Sequence, residues 1–303
     1  MEFQNMLIMQ GTLFLLIIVG IGAKRLKIVR SEDKRVLTDL VIEIFLPASI
    51  INSFQMNFNG DMMSTFAILI GVSVLSMIIS YVLGALMFSK RDHRQKAVLR
   101  YGTLISNGGF IGMPIAESFY GTLGLMYASI YLVPIRIAIW TVGLTFFTKE
   151  KDILAGIKKV AVHPCLIAVY IGLGMMVAGL RFIEPVATTV VMLGKCTTPI
   201  IMILIGVIIG EAKDLKSMFS GVVLSYSMIR VLLIPAIIYG IVSLLHVDPT
   251  VAGIAVVIAA MPAGTSTFIL AAKYKGDYVL AMQMVVVSTM ISMITIPIWR
   301  MIL

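Results

Sequence analysis

Two stretches of this chain place glycine, proline and small polar residues inside otherwise apolar sequence: Ser106-Asn107-Gly108-Gly109-Phe110-Ile111-Gly112-Met113-Pro114 and Ala260-Met261-Pro262-Ala263-Gly264-Thr265-Ser266-Thr267. The chemistry they offer is that of an interrupted helix. A break frees the N–H groups of one half-helix and the carbonyls of the other, whose partial charges hold an ion without a buried formal charge. Gly108, Gly109 and Gly112 permit irregular backbone, and proline removes a donor and stops the helix from running on regularly. Polar side chains beside the breaks, Asn107 on one and Thr265, Ser266 and Thr267 on the other, can bind a ligand directly. Asn107, Gly108, Gly109, Met113, Pro114, Pro262, Thr265, Ser266 and Thr267 form the candidate substrate-binding set. The competing reading makes Gly108 and Gly112 a small-residue packing face between helices.

Ionisable groups at membrane depth are costly and are functional candidates by default. Arg136 follows Pro134 near the centre of an apolar segment and joins the substrate-binding set. Its guanidinium offers a carboxylate paired donors, and it suits equally well a structural role capping carbonyls freed at a helix break. Arg230 also lies within an apolar segment, from which its long side chain can reach toward the cytoplasm; the structural role is favoured there. Glu43 and Lys195 each stand four residues before a proline, Pro47 and Pro199, and are the candidates for ion coupling. If the two prolines sit near mid-membrane in helices of opposite direction, a rise of about 1.5 Å per residue puts the two groups about 6 Å either side of it. A direct ion pair then needs long side chains and a favourable tilt. Asp39 is one turn from Glu43, where proton exchange, sodium binding and a solvated helix end all account for it. His93, His163 and His246 are not paired for metal binding or catalysis, so no metal and no cofactor is expected.

Positioning these residues is the work of membrane helices. Hydrophobic residues make up 59% of 303 and charged residues 13%, with a mean hydropathy of +1.03, which excludes an ordinary soluble domain. Runs long enough to cross about 30 Å of hydrocarbon recur at roughly 6–23, 36–54, 63–88, 97–118, 121–147, 160–180, 185–210, 219–245, 250–272 and 277–301. The expectation is an all-α integral membrane protein with ten transmembrane helices. The loops after segments 1, 3, 5, 7 and 9 hold eighteen Lys and Arg residues, against only Arg181 and Arg300 on the other face. By the positive-inside rule both termini are extracytoplasmic. The net charge of +9 is then a cytoplasmic collar against anionic lipid head groups, and no nucleic-acid partner is expected. No basic residue precedes the first apolar run, unlike a cleaved signal peptide. Cys165 and Cys196 lie inside predicted spans, where they serve as small packing residues.

Split after segment five, the chain reads as two halves, 1–150 and 151–303. Each has a proline in its second segment, Pro47 and Pro199, and a glycine and proline break in its fourth. Because five is odd, the second half enters the membrane from the opposite side, giving an inverted-topology repeat. Paired interruptions of this kind point to a substrate site between halves that expose it alternately to either face.

At these residues the chain resembles the auxin efflux carrier family, which includes the plant PIN carriers and prokaryotic malate and malonate permeases. The resemblance runs the whole length, through the proline of segment two, Asn107 to Pro114, His163-Pro164, Met261-Pro262-Ala263 and Ser288-Thr289 to Thr295-Ile296-Pro297. It implies a ten-helix fold shared with bile-acid-type sodium symporters. Segments 1, 2, 6 and 7 then form a scaffold. Segments 3–5 and 8–10 form a transport domain moving as an elevator, whose fourth and ninth helices cross at their prolines. Asn107, Pro114 and Pro262 lie at or beside that crossing, and a homodimer through the scaffold is implied. Two departures matter. The long cytoplasmic loop of the plant carriers shrinks here to about 148–162, so loop-based regulation is not expected. Their asparagine-proline-asparagine pattern is Asn107-Gly108-Gly109 here, so an indole-acetate substrate does not follow.

The function expected is secondary transport of a small organic anion, such as malate, malonate or an auxin-like acid, in the cell membrane. Membrane potential or protons rank above sodium as the driving force, because no cluster of acidic and carbonyl ligands is evident. The alternatives are a sodium-coupled symporter of the bile-acid type and a non-transporting membrane receptor, the latter distinguished by binding without flux in liposomes. An intramembrane enzyme would need a His-Glu-x-x-His set, a Gly-x-Ser-x-Gly elbow or paired aspartates within helices. None is present in the sequence, nor is a phosphate-binding glycine loop for ATP.

Overall fold

The computed structural model of the chain describes residues 2–30, 32–56, 60–147, 158, 161–210 and 218–303. The boundary expected between 150 and 151 lies outside the described residues, as do Lys149, Lys151, Lys159, Lys213 and Lys216 of the basic collar and the side chain of Trp140. Among the described residues the chain is helical throughout, with no strand.

Helix α1 spans Glu2–Arg25. Then come α2 (Asp33–Leu40), α3 (Leu46–Ser53), α4 (Asp61–Met87), α5 (His93–Leu104) and α6 (Met113–Trp140). After these follow α7 (Pro164–Val177), α8 (Val186–Lys195), α9 (Thr197–Gly210), α10 (Gly221–Met228), α11 (Ile234–Leu244), α12 (Pro249–Ala259), α13 (Ser266–Lys273) and α14 (Tyr278–Ile302). Each of the ten apolar segments is occupied by helix. Among the described residues six stretches, 33–53, 62–87, 108–146, 186–210, 221–244 and 278–302, are long and apolar enough to cross a membrane.

Local chemistry sets the helix ends. The Asp92 carboxylate accepts from the N–H groups of Arg94 (2.9 Å) and Gln95 (3.1 Å) to start α5. Asp248 does the same for Thr250 and Val251 at α12, and Asp277 for Leu280 at α14, so orphan donors of the first turn are satisfied where the chain enters its apolar runs. Within α6 the backbone turns at Gly121, with φ +65°. An L side chain is strained there, and glycine lets the chain leave one helical stretch and begin the next.

Proline explains the helix irregularities. Widened five-residue turns occur at Val41–Phe45, Gly108–Gly112 and Ile229–Leu233, each ending two residues before a proline, Pro47, Pro114 and Pro235. A proline removes one ladder donor and its ring pushes on the carbonyl four residues back, and an i→i+5 turn relieves both. The carbonyl of Val231, four before Pro235, is taken by the indole N–H of Trp299 at 3.0 Å, so this buried acceptor is not left unpaired.

Two packing groups result. Helix α1 lies along α9, and α3 packs on α7 and α8. At the α1–α9 crossing the backbones touch: a Cβ on Gly20 would collide with the Ile203 carbonyl, and one on Gly206 with the Ile17 carbonyl. Only glycine allows this approach, and van der Waals contact of this kind is what joins helices in lipid. The second group holds α4 against α5, α6, α11 and α12, and α14 against α5, α10, α12 and α13. Between the groups, α3 and α7 meet α6, and α9 meets the Gly108–Gly112 turn.

Candidate functional site

The two interrupted segments find each other. Helix α5 ends at Leu104, and α12 at Ala259. The unwound residues that follow pair as a single antiparallel bridge between Ser106 and Ala263. Asn107 N–H donates to the Pro262 carbonyl at 2.8 Å, and Gly264 N–H donates to the Ile105 carbonyl at 3.1 Å. This pairing satisfies backbone groups that an interrupted helix strands in an apolar interior, where an unpaired amide costs several kcal/mol. Ser288 of α14 pins it from behind: its hydroxyl accepts from Ala263 N–H (3.1 Å) and donates to the Met284 carbonyl (2.6 Å). Beside the bridge the Tyr101 hydroxyl donates to Ser266 Oγ at 2.9 Å.

In front of the bridge is a cavity of about 240 Å³. Asn107, Gly109, Thr265 and Ser266 line it from the breaks, Arg136 from α6, Thr38 and Ile42 from the α2–α3 segment, and His163 and Cys165 from the start of α7. It therefore lies where the two packing groups face each other. The remaining walls are apolar, with Ile105, Phe110, Leu132 and Ile135 among them, and no aspartate or glutamate among the described residues lines the cavity. A second space of about 470 Å³ shares Thr38, Asn107, Phe110, Thr265 and Ile269 with the first and continues to Lys34 and Arg35 at the start of α2 and Asp39 near its end.

Arg136 is the cation of the site. It is buried, 8% exposed; Nη2 approaches the Met113 sulfur at 3.5 Å, and Nη1 has no hydrogen-bond partner. A guanidinium stays protonated at any physiological pH and carries only donors. With a thioether as its hydrogen-bond contact, it places a positive charge in the cavity wall and keeps one buried N–H unpartnered among the described residues. Nearby, the first turn of α13 begins at Ser266, adding the partial positive charge of a helix N-terminus.

Of the residues singled out in the sequence, Asn107, Gly109, Arg136, Thr265 and Ser266 come together on the cavity wall. Pro262 supplies its carbonyl to Asn107, Met113 supports Arg136, and Gly108 is buried against Leu132 and Ile258. Pro114 sits in the first turn of α6 and Thr267 in that of α13, both buried and outside the cavity lining. Glu43 and Lys195 are exposed, line neither cavity, and form no ion pair with each other among the described residues. The sequence does not point to Thr38, His163, Cys165 or Tyr101 as site residues. His163 has a usable signal in the His-Pro pair that opens α7, where its Nδ1 accepts from Cys165 N–H at 3.3 Å; Thr38 and Tyr101 carry none.

Comparison with known proteins points to membrane transport. The family model described as membrane transport protein matches residues 8–157 and 153–300. An uncharacterized transporter of Methanocaldococcus jannaschii is 25% identical over 301 residues, covering 95% of this chain and 96% of that protein. An uncharacterized transporter of Methanothermobacter thermautotrophicus is 25% identical over 299 residues, covering 96% of each.

Proposed function

The chain belongs to the membrane transport protein family, that of the auxin efflux carriers, and on that premise we propose that it carries a small organic anion by alternating access, with the substrate held at the paired breaks. The observation that carries this reading is Arg136, a buried guanidinium with an unpartnered N–H, in the wall of a cavity without acidic lining among the described residues. A carboxylate satisfies the donor and neutralises the charge together, which water cannot do. One guanidinium compensates one carboxylate. The apolar walls then accept the body of a monocarboxylate such as an auxin-like acid, while Asn107, Thr265 and Ser266 offer polar contacts to the second carboxylate of malate or malonate.

The architecture we propose is ten spans arranged as a five-plus-five inverted repeat over 1–150 and 151–303. The interruptions after α5 and α12 form the crossing. Helices α1–α3 and α7–α9 serve as scaffold, and α4–α6 and α10–α14 as the moving domain. The two packing groups and the antiparallel bridge support this division. With both termini extracytoplasmic, the passage from the site to Lys34 and Arg35 leads to the cytoplasm, so the conformation is inward-facing. Coupling to potential or protons is preferred over sodium. Glu43 and Lys195 keep a coupling role only through their positions before Pro47 and Pro199, and dimerisation through the scaffold is part of the same reading.

Purified protein in liposomes tests it. Malate, malonate and indole-acetate are offered with pH and sodium varied independently, and both currents and labelled uptake are recorded. A saturable signal for at least one acid is expected. Folded protein that moves none of them in either assay overturns the organic-anion reading.

A further inference from the structure

One side chain in the wall of the Arg136 cavity is fixed by the fold as a donor. His163 precedes Pro164 and caps α7, with φ −69° and ψ 131°. Its Nδ1 accepts the N–H of Cys165 at 3.3 Å. The sequence explains this bond: Pro164 has no N–H, so Cys165 holds the first orphan donor of the helix. A backbone amide only donates, so the neutral ring must carry its proton on Nε2. Nε2 has no hydrogen-bond partner among the described residues. The residue is half-buried and lines the cavity of about 240 Å³.

The rest of the lining decides what this donor meets. Thr38, Thr265 and Ser266 bring hydroxyls and Asn107 an amide, groups that serve either as donor or as acceptor. Arg136 and the neutral His163 are committed donors, and no carboxylate among the described residues lines the cavity to answer them. They belong to different packing groups, Arg136 to α6 and His163 to the start of α7. A ligand with a single carboxylate answers the guanidinium and leaves the imidazole N–H to water. A ligand with a second acceptor answers both. We propose that His163 is a specificity-determining residue of the transport site. Its Nε2–H donates to a second acceptor on the substrate, such as a second carboxylate, so the site prefers acids that carry one. This inference rests on the organic-anion reading of the cavity and narrows it. Cap and donor are two nitrogens of one ring, and substitution separates them.

The full chain is titrated with malonate, succinate and glutarate, each beside the monocarboxylate of equal carbon number: propionate, butyrate and pentanoate. The wild type is expected to bind at least one dicarboxylate about tenfold or more tighter than its matched acid. His163→Asn keeps a capping acceptor for the Cys165 N–H and loses the reach of Nε2. Its affinity ratio for that pair falls roughly tenfold, as expected for one hydrogen bond to a charged group, with Tm within a few degrees of wild type. His163→Ala loses the cap as well, so its Tm falls further while its ratio matches that of His163→Asn. A ratio unchanged in folded His163→Asn, or a wild type without preference for any dicarboxylate, overturns the proposal and leaves the organic-anion reading standing. Binding of none of the six acids also overturns it, and the liposome assay then decides the wider reading separately. Should the variants not fold, nitrogen NMR of wild type labelled at its three histidines decides. The expected result is the Nε2–H tautomer at His163, with an Nε2 resonance that shifts with the dicarboxylate and not with the monocarboxylate. The Nδ1–H tautomer, or a resonance indifferent to both acids, refutes the proposal.

Discussion

Two of the places where backbones come into close contact are treated oppositely. At Gly20 and Gly206 two intact helices touch through bare glycines, with each carbonyl against the other helix and all hydrogen bonds kept within the ladders. At Ser106 and Ala263 two helices have come apart, and their loose ends are tied by hydrogen bonds between segments about 150 residues apart. The first contact is shape alone and sits in the group assigned to the scaffold. The second surrounds itself with polar side chains, a cavity and an uncompensated cation. On the proposed reading, close approach in lipid serves rigidity where the helices are whole and ligand chemistry where they are broken.

The contrast predicts different responses to substitution. The largest effect belongs to the intact crossing. Gly206→Leu forces α1 off α9 and costs about 3 kcal/mol or more by overpacking. Little monodisperse protein should survive size exclusion in detergent, and a well-folded variant would mean the glycine contact is incidental. At the broken crossing the fold should survive while transport falls. Arg136→Gln removes a charge-assisted hydrogen bond to substrate and lowers the apparent affinity for the transported acid roughly 10- to 100-fold, with Tm within a few degrees of wild type. Asn107→Ala leaves the backbone bond to Pro262 in place and removes one neutral side-chain contact, so transport drops about two- to tenfold. Tyr101→Phe frees Ser266 from its donor and changes uptake by a factor of about five or less. Lys195→Met, at a residue that lines neither cavity, should leave substrate affinity unaltered; a large affinity loss there would extend the site well beyond the breaks.

How far these two places can be read from sequence differs for a physical reason. The broken crossing announces itself, because glycine, proline and asparagine all disfavour an unbroken helix and stand out inside apolar runs, and Asn107, Thr265 and Ser266 are legible for that reason. Arg136 is legible as a charge within a membrane-length run. The intact crossing is silent: Gly20 and Gly206 are two among 25 glycines, and nothing local says that they face each other. The same holds for Thr38, His163 and Cys165, which reach the cavity from helices of the other packing group, a matter of tertiary docking. Proline in a sequence reads as a helix breaker, yet at Pro47, Pro114 and Pro235 the helix absorbs it through a widened turn upstream. The unwinding near Pro114 is accordingly displaced to Ile105–Asn107, where pairing with the other break replaces the lost ladder.

The most direct measurement of the central claim compares an acid with its uncharged amide. Affinities of the acid that gives the strongest transport signal and of its amide are determined by titration on wild type and on Arg136→Gln. The account predicts that the wild type binds the acid at least about tenfold tighter than the amide, and that Arg136→Gln erases most of the difference by weakening the acid alone. Equal preference for the acid in both proteins would contradict it, since the carboxylate would then be held by something other than the open guanidinium at the paired breaks.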